Sequence, residues 1–121
     1  MEQALKILLI SLIIFLVSCN GINCDQLPKN YSNYEEAIKS IKAAHFTIQD
    51  NLNTSNSSWV KGASYFSCDG STGYFILKTE KQEYIYSGVP VEIWNGFKNA
   101  QSCGSFYDSN IKHHYYFNLN Q

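Results

Sequence analysis

Between Glu83 and Ala100 an aromatic strand, a turn and an amphipathic helix follow one another directly, and few folds accept that order. Residues 82–87 alternate, with Tyr84 and Tyr86 on one face and Ile85 on the other. Ser87-Gly88 has the chemistry of a sharp turn. Pro90 suits the first turn of a helix, where a missing N–H is no loss. Val89, Ile93, Phe97 and Ala100 then fall on one stripe beside Trp94, with Glu92, Asn95 and Lys98 facing outward. The pattern predicts a helix from Pro90 to about residue 101, lying over one face of a sheet.

The strands to complete that sheet precede it. Residues 58–66 and 74–79 read as strands, joined by the Asp69-Gly70 turn, and Glu80-Lys81 makes the next tight connection. Neighbours so close in sequence pair antiparallel. In the 58–66 strand, Trp59, Ala63 and Tyr65 would share one face, and Val60, Ser64 and Phe66 the other. Ahead of this meander, Ser32 or Asn33 caps a short helix with Glu35 and Glu36 in its first turn and an apolar face of Tyr34, Ala37, Ile38 and Ile41. Phe46 and Ile48 mark a further strand, and 50–57 a polar loop. Downstream, Ser102-Cys103-Gly104 reads as a helix C-cap with a left-handed glycine, 105–111 as a compact turn or short helix, and 115–117 as an extended piece. The fold class is therefore α+β: a small antiparallel β-meander covered by a C-terminal helix, with an N-terminal helix-strand extension.

The N-terminus reads as an address. Lys6 precedes an apolar run over residues 7–17, interrupted only by Ser11 and too short for the roughly twenty residues that cross a bilayer. Leu16-Val17-Ser18-Cys19 resembles the lipobox of bacterial lipoproteins. The resemblance implies cleavage before Cys19 and lipidation of its thiol, placing the chain outside the cytoplasm on the cell envelope, where several acyl chains give a stable anchor. An ordinary signal peptide cut near Ser18 is the alternative. Organisation follows: 1–18 signal peptide, 19–33 flexible tether, 34–56 helix and strand extension, and 57–121 the main domain. Asn30, Asn53 and Asn56 each head a glycosylation sequon, which carries no meaning in a bacterial lipoprotein and would support a secreted glycoprotein in a eukaryotic source.

The main domain resembles a known family. Ser58 with its strand, Tyr65, Gly73, the Tyr84-Ile85-Tyr86 triplet, Gly88-Val89-Pro90, the helix with Phe97 and Ala100, Ser102-x-Gly104 and Ile111 together resemble the KTSC domain. That domain takes its name from the C-terminus of some lysyl-tRNA synthetases. The resemblance spans about residues 57–117. It implies no established activity, and through the synthetase context it suggests RNA binding. The residues argue against that role: all nine basic residues are lysine, and the formal net charge is −1. Arginine is the preferred side chain for bidentate phosphate and base contacts, so nucleic acid is not expected as a partner.

Candidate sites are few. Tyr84 and Tyr86, with Tyr65 and Tyr74 on nearby strands, form either a stacking contact surface or packing at the core and its rim. Glu80 and Glu83 flank a turn and read as solvated, as do Glu35 and Glu36. Adjacent His113 and His114 point to opposite faces on an extended piece and lack a third ligand, so no metal or other cofactor is expected. With Cys19 lipidated, Cys24, Cys68 and Cys103 allow one disulfide. Cys68–Cys103 is the favoured pair, and three free thiols the alternative. No cysteine-protease or Cys-x-x-Cys signature supports catalysis by Cys103 or His113. The expected function is thus a non-catalytic lipoprotein that binds a protein or envelope component. Nucleic-acid binding and a small thiol or hydrolase enzyme are the rivals.

Overall fold

A computed structural model of the chain describes residues 21–54 and 57–119. The predicted lipidation site, Cys19, lies outside them. Helix α1 spans Tyr34–Ala43. The strands are β1 (Ile48–Leu52), β2 (Gly62–Ser67), β3 (Thr72–Lys78) and β4 (Glu83–Pro90). Two helices follow, α2 (Val91–Asn99) and α3 (Cys103–Asn110). The strands form one antiparallel meander in the order β1-β2-β3-β4. The α+β class holds, with both faces of the sheet covered.

On one face α2 and α3 close a core of Tyr65, Phe75, Leu77 and Val89 under Trp94, Phe97, Tyr107 and Ile111. Its aromatic rings interlock: Tyr65 stacks on Trp94 at 5.6 Å, and Phe75 meets Phe97 edge-on at 5.0 Å. On the other face Phe66, Ile76 and Ile85 pack under Ala37 and Ile41 of α1, with Tyr31 and Phe117. Asn33 caps α1, its Oδ1 accepting from Glu36 N at 2.8 Å, while Glu36 Oε2 accepts from Ser32 N at 3.1 Å. Tyr34, expected on the buried stripe, is half exposed and donates to the carbonyl of Phe117.

Several expectations need correction. The Ser87-Gly88 turn is a bulge inside β4. Phe75 pairs with Tyr86 and Gly73 with Val89, so one residue of β3 faces two of β4. Gly88 takes the left-handed conformation, φ 69°, that such a bulge requires. A side chain at Gly73 could not fit, since its Cβ would sit 2.2 Å from the carbonyl oxygen of Phe66. Pro90 is the extended cap before α2, and the Val91 N–H donates to Ser71 O at 2.8 Å. β1 runs into the segment expected as loop, and β2 starts only at Gly62. Trp59 therefore precedes the sheet, and Val60 packs into the helix-side core rather than opposite Tyr65.

Ser102-Cys103-Gly104 starts a helix instead of ending one. Ser102 Oγ accepts from Ser105 N at 3.2 Å, and Gly104 is a buried helical residue. Its glycine is explained by packing, because a Cβ there would come 2.6 Å from Trp59 Nε1. Within the stretch expected as a tether, Tyr31 is buried and Cys24 N donates to His45 O at 2.9 Å, while most residues from Gly21 to Asn33 are exposed. The disulfide joins Cys24 to Cys68, with a Cα–Cα distance of 5.8 Å. Cys68–Cys103 does not form, because α2 and α3 carry Cys103 to the far end of the sheet, leaving its thiol free.

Candidate functional site

The four tyrosines expected to act together are divided by the sheet. Tyr65 is wholly buried, and its hydroxyl donates to Val89 O at 2.6 Å. Burial, and then the carboxylates of Asp69 and Glu92, push its phenol up to about 12. Tyr74 points to the opposite face, against Phe46 and Phe117, where burial again raises its pKa. Tyr84 and Tyr86 stay together on the helix side of β4. Tyr86 is half-buried and shares a hydrogen bond between hydroxyls with Tyr107 of α3. Burial raises both phenols, and for Tyr86 the bond to Tyr107 raises it further. Both hydroxyls therefore stay protonated near neutrality, and the pair ties β4 to α3 without offering a base.

Tyr84 is 40% exposed and borders a groove of about 350 Å³. Trp59, Tyr115 and Tyr116 supply further aromatic walls, and Leu77 and the Tyr86–Tyr107 pair lie deeper. Asp108, Lys112 and His113 bring polar groups to it. The local chain explains the convergence. Tyr84 sits opposite Leu77 in the β3–β4 register. Trp59 is held edge-on to Tyr107 at 5.7 Å, in the space that Gly104 leaves free. After α3 the chain turns back through His113, which has a left-handed φ of 67°. The Tyr116 hydroxyl then donates to His113 O at 3.0 Å, and Ser87 N and Oγ both donate to Tyr116 O. Tyr116 is thereby fixed along β4 with 62% of its surface exposed. The volume falls at the small end of the range for ligand pockets, about 300–1,000 Å³.

A second, more polar cavity of about 490 Å³ adjoins the first across Trp59 and Asp108. Cys103 lines it and His113 does not, so the thiol and the imidazole border different concavities. Burial raises the Cys103 pKa, which lowers the thiolate fraction a nucleophile needs. His45 lies with Cys24, Asp25 and Cys68 at the N-terminal segment. Glu83 pairs with Lys42 at 2.6 Å and Glu80 with Lys61 at 3.6 Å. Among the described residues no three His, Cys, Asp or Glu side chains cluster to hold a metal.

Periodicity did not reveal one charged cluster. Asp50 Oδ2 accepts from Lys98 Nζ at 2.8 Å and from Trp94 Nε1 at 2.9 Å, joining β1 to α2. Those two hydrogen bonds, Lys98 first, hold the carboxyl below its usual range.

Residues 78–115 match the KTSC domain, so the chain contains that domain; the match takes in Tyr84, Tyr86, Tyr107 and Tyr115 of the groove, while Trp59, Leu77 and Tyr116 lie outside it. No curated protein matches the chain, and no solved structure matches it.

Proposed function

Taking the KTSC domain as premise, we propose that this chain is a non-catalytic, lipid-anchored lipoprotein of the bacterial cell envelope that binds a protein or envelope component in its aromatic groove. One observation carries this reading. Of the five large apolar side chains exposed among the described residues, three, Trp59, Tyr84 and Tyr116, border that groove. Exposed aromatic area on a fixed scaffold is the usual currency of recognition, since rigid rings bury much surface at low entropic cost. The lipobox at Cys19 supports the address, and the Cys24–Cys68 disulfide suits an oxidising compartment. A phosphate-tracking surface would need a cationic stripe, whereas Lys112 stands in the groove with Asp108.

The test is comparative capture. The lipidated full chain and a Tyr84→Ala/Tyr116→Ala variant with unchanged near-ultraviolet circular dichroism are each exposed to solubilised envelope. A component retained by the parent and lost from the variant supports the groove. Equal retention by both sinks it. Mass spectrometry of the purified N-terminus checks the acyl chains on Cys19, and a bare thiol there removes the anchor.

A further inference from the structure

The folded body begins almost at the lipidation site. In the sequence Asn20 alone separates Cys19 from Gly21, the first described residue. Gly21, though exposed, already lies against the end of α1: a Cβ there would approach the carbonyl oxygen of Ala43 to 2.6 Å. His45 N donates to Ile22 O at 2.9 Å, Asn23 bridges to His45 in parallel, and Cys24 is bonded covalently to Cys68. This leaves no length of spacer between anchor and domain.

All of these attachments gather at one end of the sheet. Ile48, the first residue of β1, pairs with Ser67, the last of β2, and Cys68 opens the turn into β3. The groove lies toward the other end, where Leu77 pairs with Tyr84. Thr72 and Leu77 lie five steps apart on β3, roughly 17 Å at about 3.3 Å per residue, and Tyr86, opposite Phe75, brings the near edge of the groove closer. Ile22 is an apolar side chain 47% exposed at the anchored end. Asp25 and Asp69 are there too, and backbone N–H groups of Ser71 and Thr72 hold Asp69 ionised.

We infer that the sheet end formed by residues 21–25, His45 and the turn at 68–71 rests directly on the bilayer surface, with the aromatic groove opening away from it toward the aqueous side. This rests on the lipid anchor proposed above. The acyl chains and the short link set the stance, with Ile22 meeting the interface. Anionic lipid would repel the two aspartates, so the stance is favoured on neutral lipid and weakened by anionic lipid.

Hydroxyl-radical footprinting of the lipidated full chain on phosphatidylcholine vesicles tests it. The comparison is the same chain with a long Gly/Ser spacer inserted between Asn20 and Gly21. Oxidation of Ile22 and His45 is expected to be severalfold slower in the native chain than in the spacer chain. Tyr84 and Tyr116 should react equally in both, and added phosphatidylglycerol should lessen the protection of Ile22. Equal oxidation of Ile22 in the two chains, or protection centred on Tyr84 and Tyr116, overturns the stance while leaving the anchor intact. An N-terminal mass without acyl chains overturns both.

Discussion

The two faces of the sheet are closed by different means. On the helix side, α2 and α3 follow β4 directly, and large rings from consecutive elements interlock: Trp94 on Tyr65, Phe97 on Phe75, Tyr107 on Tyr86. On the other side the cover comes from both ends of the described chain, with α1 and Tyr31 from one and Phe117 from the other. That layer carries the covalent tie, Cys24–Cys68, and cross-ties such as Tyr31 N to Leu119 O at 3.1 Å. The difference teaches which part is self-sufficient. Contiguous elements lose little loop-closure entropy when they dock, whereas a cover assembled from distant segments loses more and gains from a cross-link.

The largest effect should come from the self-sufficient side. Phe97→Ala removes a fully buried ring and is expected to cost about 3–5 kcal/mol, read as a shift in the urea midpoint. A cost under about 1 kcal/mol would mean that this face is not the anchor of the fold. Next comes the covalent tie. The cysteines are 44 residues apart, and chain entropy assigns a loop of that size about 4 kcal/mol as an upper figure. Cys24→Ser/Cys68→Ser should lower stability by about 2–4 kcal/mol. It should also speed amide exchange across residues 21–45 more than across α2 and α3. Uniform acceleration would erase the contrast between the faces.

Tyr86→Phe probes the join between β4 and α3. It leaves the Tyr107 hydroxyl without its partner, and about 1–2 kcal/mol should be lost in a thermal melt, with the groove otherwise intact. An unchanged melting temperature would show the hydroxyl pair to be dispensable. The smallest effect belongs to Asp50. The carboxylate and Lys98 are each about one-third exposed, so solvent screening limits Asp50→Asn to about 0.5–1 kcal/mol. Its folded pKa is lowered, so the contribution is complete above the unfolded value of about 3.9 and fades as pH falls through the lower folded value. The parent should therefore lose its advantage over the variant below about pH 4 in paired denaturation curves, and a gap that persists into stronger acid would disprove the linkage.

Much of the fold was legible because local patterns act over short reach. Alternation in Tyr84-Ile85-Tyr86 places Ile85 under α1 and both tyrosines on the helix side, as the structure shows. Spacing put the cap of α1 at Ser32 or Asn33 and gave its Ala37–Ile41 face, and the structure chose Asn33. The site was less legible. Tyr84 and Tyr86 were named, but Trp59, Tyr107, Lys112 and Tyr116 belong to segments that meet only through α3 and the His113 reversal. The one available signal was Gly104, a glycine in an aromatic-rich stretch, and its cause is an indole more than forty residues earlier in the chain.

By itself the sequence determined the α+β class, the meander, the positions of α1 and α2 to within a few residues, and the KTSC stretch around Tyr84-Ile85-Tyr86. Tertiary structure alone decided that Tyr65 is core, that Tyr74 faces away from Tyr84, that Cys24 rather than Cys103 meets Cys68, and that Gly104 starts a helix. The reason is geometric. Turns, caps and periodicities are set by neighbours a few residues apart, whereas a disulfide needs Cα atoms about 4.4–6.8 Å apart and a groove needs side chains from distant segments at one place. Strand register and the docking of both covers set those distances, and neither is written in a local pattern.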